Sequence, residues 1–275
     1  MQCATSDGLR LEPVLSSSPA SSTLDRLKPK QYLSVRGYHY SRGETVMVVA
    51  GKIFRLSQPM VIADIASKLN GYHVETPYEE GDYNFTLINE VVDLQQKANM
   101  LSGVYSNDYV MHVFHRGASA PLPRTVEAMF SFSKIQDTTF LTVVEKKRIA
   151  NFVANKLSEA LFEKVGIIVE ARIKPETLKE FHLKNPEDTK ITFFDDVDIP
   201  NVDKLSLYGP DLSNTQLFDD YSKHGNLWYI VARSKETGYV VGITREASVT
   251  IFNTTDKNEY IEYIIKEIYP IIFAA

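Results

Sequence analysis

The chain has 275 residues, 44% of them apolar and 24% charged, enough for one large domain or two small ones with real cores. Its net charge of −5 and pI near 5.7 give no basic field that would draw the whole molecule to nucleic acid or anionic lipid. The single cysteine, Cys3, excludes an intrachain disulfide and a cysteine-built zinc site within the chain, and fits a reducing compartment or simple disuse of disulfides.

Residues 1–30 contain the run SSSPASS, few large apolar residues and no periodicity. Such a segment buries too little surface to offset its ordering entropy, and is expected to be disordered. It lacks the basic and apolar regions of a secretory signal, and no apolar run reaches the ~20 residues that span a bilayer. The expectation is a cytoplasmic protein that does not enter a membrane.

Thr45–Ala50 and Lys52–Leu56 read as short strands flanking Gly51, in a hairpin or at a bulge. Val61, Ile62, Ile65 and Leu69 have helical spacing, with Ser57 as N-cap, Pro59 in the first turn and Gly71 beyond the end. Residues 76–84 look like an acidic turn, and Phe85–Val92 and Tyr109–His115 like strands. Gly117–Pro123 reads as a loop. Val126–Ser133 and Thr138–Val143 then form a hairpin.

The clearest helix spans about 143–164. Ile149, Phe152, Val153, Leu157, Ala160 and Leu161 make one apolar stripe, Thr142 and Glu145 fit a capping box, and Gly166 closes the far end. Further on, strands are expected at 167–173, 190–194 and 204–207, and helices at 175–184 and after a Ser213/Gln216 capping box. A hairpin of 227–234 with 239–252 follows. Asp256 and Glu259 cap a last helix that Pro270 ends. The pattern implies an α+β fold with mixed, mainly antiparallel sheets and packed helices. A strand-rich part (31–140) precedes an α+β part (141–275), unless the two form one continuous domain.

Four constellations carry chemistry. Glu145-Lys146-Lys147 after a strand places a carboxylate, a spacer and a lysine as metal-dependent nucleases do, with Asp137 upstream. The capping box gives Glu145 a structural use that outweighs this. Asp195-Asp196-Val197-Asp198 would turn Asp196 and Asp198 to one side of an extended chain, an oxygen set suited to Mg²⁺ or Mn²⁺, with Asp188 and Asp203 nearby. A solvated turn is the commoner origin of such a run. His112 and His115 would lie on opposite faces of a strand, which argues against a shared metal, although Arg116 beside them could hold an anion or an acidic partner. Lys146, Lys147 and Arg148 oppose the dipole of the helix they open. With Arg124 they form a local basic patch that could take phosphate groups or an acidic protein surface.

No phosphate-binding glycine loop, dinucleotide fingerprint or nucleophile elbow is present. The first expectation is therefore a non-catalytic binding or regulatory protein, without cofactor, that acts with another protein, with itself or with nucleic acid. The alternative is a Mg²⁺- or Mn²⁺-dependent phosphodiesterase or nuclease using Asp195, Asp196, Asp198 or Glu145.

Overall fold

A computed structural model describes residues 47–185, 189–210, 212, 215–254 and 256–273. The expected disorder of residues 1–30 lies outside them, as does Ser213. The helix expected after the Ser213/Gln216 box begins at Gln216 with Thr215 as its N-cap, whose hydroxyl accepts from Phe218 N at 3.3 Å. One twelve-stranded antiparallel sheet organises the described chain. Its strands are β1 (Met47–Leu56), β2 (His73–Glu80), β3 (Tyr83–Lys97), β4 (Met100–His115), β5 (Ala118–Ile135), β6 (Thr138–Val144), β7 (Ile168–Glu170), β8 (Thr189–Asp195), β9 (Leu205–Tyr208), β10 (Asn226–Arg233), β11 (Val240–Thr244) and β12 (Ser248–Thr254). They lie in the order β2-β3-β4-β5-β6-β1-β12-β11-β10-β8-β9, with β7 added to the end of β1. Strand pairing runs unbroken past residue 140, which lies inside β6.

The helices are α1 (Ile62–Leu69), α2 (Lys147–Phe162), α3 (Pro175–Lys184), α4 (Gln216–His224), α5 (Lys257–Tyr263) and α6 (Tyr269–Phe273). They cover the sheet unequally. On one face, Val49, Ile53, Phe140 and Ile230 pack with α3 to α6. On the other, Phe54, Leu141, Val143 and Phe130 pack with α1 and α2. The first half of the sheet is thus roofed on the second face, and the second half on the first face. Strand alternation is what allows β1 and β6 to contribute to both cores.

Several local expectations are corrected. Gly51 makes no turn; β1 is one strand through it. Val61, not Ser57, occupies the N-cap of α1, and the Ser57 hydroxyl instead donates to Ile167 O at 2.9 Å. Residues 76–84 form the β2–β3 hairpin. Gly117 lies in the β4–β5 turn, but Ala118–Pro123 is strand: Pro121 and Pro123 pair with His112 and Val110, and β6 reaches only Met129–Ile135, so the missing amide hydrogens fall on an unpaired edge. Residues 239–252 divide into β11 and β12 around Ala247, which has a left-handed backbone. The Thr142/Glu145 box does not form. Thr142 shares a buried hydrogen bond with Tyr269 (2.8 Å), and α2 begins at Lys147 without a side-chain cap.

Pro270 does not end the last helix. A π-helical turn, Ile264–Ile268, precedes it, and Tyr269 N donates to Ile264 O. The wider turn accommodates a residue that lacks a donor and crowds the preceding turn. Asp256 caps the start of this helix as expected, accepting from Asn258 N (2.7 Å) and Glu259 N (2.8 Å). Asp256→Ala should lower stability by about 1 kcal/mol, read as a fall of roughly 2–4 °C in Tm by calorimetry.

Candidate functional site

Two surfaces on the second face stand out, one on each half of the sheet. The first is the half-sheet β12-β11-β10-β8-β9, where no described helix packs on this side. Its first-face residues, such as Phe194, Ile230, Ile243 and Ile251, are in the core. Alternation turns Phe193, Tyr208, Tyr229 and Phe252 outward, and a bulge in β10 between Leu227 and Tyr229 adds Trp228.

The rings form a platform. Phe193 lies 5.8 Å from Tyr208, 5.5 Å from Trp228 and 5.3 Å from Tyr229, centroid to centroid. Tyr208 is 66% exposed and Phe252 38%. Gly242 seats Tyr229: a Cβ there would stand 2.6 Å from its hydroxyl, so any side chain would displace the ring. Burial, with Tyr208 nearby, raises the Tyr229 pKa. Lys204 Nζ sits 5.8 Å from the centre of the Trp228 ring. Asp195 at the margin is neutralised by Arg245 in a two-pronged pair at 2.7 and 3.0 Å.

The second surface is a groove of about 460 Å³ between α2 and the β4–β5 hairpin. Tyr105, Tyr109 and Val126 contribute from the strands, and Ile149 and Phe152 from the helix, while Lys146 and Arg148 line it as well. The sequence places Phe152 in the core stripe of α2, but it is 40% exposed and forms a groove wall; Ala150 and Ala154 are buried instead. Tyr105 is fully buried, its pKa raised by that burial with Tyr72 beside it, and its hydroxyl makes no hydrogen bond of good geometry.

This groove gathers part of the expected basic patch. Arg124 pairs with Tyr109 across β4–β5 and projects on the same side, so it stands at the rim with Lys146 and Arg148. Lys147 points elsewhere, towards Lys52 and Glu170. Arg116 is separate again. It sits with φ +47° in the turn at the hairpin tip, seven residues beyond Tyr109, or ~23 Å along the strand.

The expected acidic set does not converge. Asp195 holds Arg245, Asp196 accepts from Asn226 at 3.4 Å with φ +50°, and Asp198 pairs with His224 at 2.7 Å. Glu145 follows β6, five strand positions from β8, a lateral separation of ~24 Å, and its carboxylate accepts from Lys146 N. Among the described residues, no three His, Cys, Asp or Glu side chains are placed to share a metal ion. His112 pairs with Glu80 at 2.9 Å.

Sequence alone does not separate the aromatic platform from core, because β10 is apolar on both faces. LWYIVA reads as a fully buried strand, and nothing local says that one of its sides has no roof. No family model matches the chain, and no curated protein matches it in sequence.

Proposed function

We propose that the protein is a non-catalytic binding protein whose aromatic half-face holds single-stranded nucleic acid. The observation that supports this reading is the unroofed platform of Phe193, Tyr208, Trp228 and Tyr229 with Lys204 at its edge. Every base has a π face, so stacked rings bind single strands with little sequence preference. Lys204 beside the rings would meet a phosphate, and the neutralised Asp195 does not repel it. The net charge of −5 means that stacking, rather than a general electrostatic field, carries the affinity.

The lone tryptophan of the chain, Trp228, lies in the platform and reports on it directly. Titration with a 12-nucleotide deoxythymidine oligomer should quench its fluorescence, and a duplex of equal length should do so far less. With about one phosphate contact, through Lys204, log K should fall with log salt at a slope near about −0.7. Tyr208→Ala removes a largely exposed ring and should weaken binding by roughly 5- to 150-fold, as the loss of one stacked base would. Unchanged Trp228 emission together with no binding by anisotropy up to about 100 µM protein would remove this reading.

A further inference from the structure

We infer that the groove between α2 and the β4–β5 hairpin is a separate binding site for a small organic anion with an apolar body. The walls are hydrocarbon and aromatic: Tyr109 and Val126 on the sheet side, Ile149 and Phe152 on the helix side. The volume of about 460 Å³ suits a small amphiphile. It is too small for a folded partner.

The charged residues that line the groove are of one sign. Lys146 and Arg148 line it, Arg124 stands across the strand pair from Tyr109, and no carboxylate lines it. Among the described residues, none of these three cations has an ion-pair partner. The first turn of α2 has no acidic residue, so its cations add to the positive end of the helix dipole, which only the preceding Glu145 carboxylate, accepting from Lys146 N, offsets. A carboxylate, sulfonate or phosphate at this rim would satisfy both.

Two further features border the groove. Phe152 leaves 40% of its surface to solvent on a helix whose core is otherwise filled by Ala150, Val153, Ala154 and Leu157. The Tyr105 hydroxyl is fully buried at the groove with no hydrogen bond of good geometry, and a buried hydroxyl left this way is costly. A polar atom of a bound ligand would satisfy it. An apolar body against Phe152 and Ile149, with an anionic group between Lys146, Arg148 and Arg124, uses the three cations and the apolar walls.

The test is isothermal titration calorimetry of the full chain with decanoate and decyl phosphate, each below its micelle concentration. Decyltrimethylammonium and decanol serve as charge controls. Both anions should bind, and the cationic probe should bind at least about tenfold more weakly. Arg148→Glu and Lys146→Glu, both on exposed positions, should each weaken the anions by about tenfold while Trp228 emission stays unchanged and Tm does not fall, because a carboxylate suits the start of the helix. Tyr105→Phe should weaken them by less. Three results would each overturn the site: no heat from either anion, equal binding of the cationic probe, or affinity unaffected by both charge reversals.

Discussion

Replacing Gly51 by alanine should cost about 3 kcal/mol of stability, combining overpacking of a tight core with the loss of about one hydrogen bond. Gly51 lies in β1, the strand from which the sheet extends both ways. A Cβ on its first face would stand 2.6 Å from the Tyr260 hydroxyl, 2.9 Å from that ring's edge and 2.8 Å from Val143 O. None of these neighbours moves cheaply. Tyr260 is fully buried, and its hydroxyl donates to Val249 O at 3.0 Å. Val143 O belongs to β6, which is paired with β1 at this level. Thermal melts should show a loss of roughly 6–12 °C. Adding Tyr260→Phe to Gly51→Ala removes the nearest atom but leaves the ring edge and the carbonyl, so recovery should be partial. A Gly51→Ala protein that melts within about 2 °C of the parent would mean that α5 is not packed on β1 this tightly.

What the sequence could show depended on whether the signal was local. Asp256 caps its helix because the partners it needs, Asn258 N and Glu259 N, are two and three residues away. The α2 stripe is periodic within one segment, and most of it is buried. Pro121 and Pro123 were misleading because their tolerance depends on where β6 stops, a fact set by another strand. Thr142 was claimed by Tyr269, 127 residues away, which left α2 to start three residues beyond Val144 without a side-chain cap.

The binding surfaces follow the same rule. Lys146 and Arg148 were readable as cations placed against a helix dipole, but only the strand register sets Arg124 opposite Tyr109 beside them. Lys147 and Arg116 had the same sequence credentials and are directed elsewhere. The aromatic platform has no local signature that separates it from core. A Phe193 or Tyr229 that faces solvent reads the same as one beneath a helix, until the roof is seen to stop at β1.

Lys52 was also invisible as a charged site, since it sits within an apolar strand, and it supports the strongest electrostatic prediction. Its side chain is fully buried on the second face of β1, ion-paired with Glu170 of β7, and its ammonium lies 5.7 Å from the centre of the Phe54 ring. Burial lowers the Lys52 pKa more than Glu170 restores it. For Glu170, burial pushes upward, but the hydrogen bond and charge of Lys52, with Lys147 nearby, bring it below its ordinary 4.5. Glu170→Ala leaves a buried cation unpaired and should cost about 3 kcal/mol, the low end for such pairs because Glu170 is 35% exposed. Lys52→Met should cost less, since Glu170 can turn towards water. The double variant Lys52→Met/Glu170→Leu should return to within about 1 kcal/mol of the parent.

The pH dependence follows from the two directions. Glu170 binds its proton less readily folded than unfolded, so its contribution is complete above pH 4.5 and fades as pH falls through the lower folded value. Lys52 loses its proton more readily folded than unfolded, so stability rises with pH between its lowered value and 10.5. Urea unfolding across these ranges should show both slopes in the parent. The acid slope should shrink in Glu170→Gln, and the alkaline slope should disappear in Lys52→Met. A double variant as unstable as Glu170→Ala would show that the cost lies in lost packing at β7 rather than in a charge stranded beneath α2.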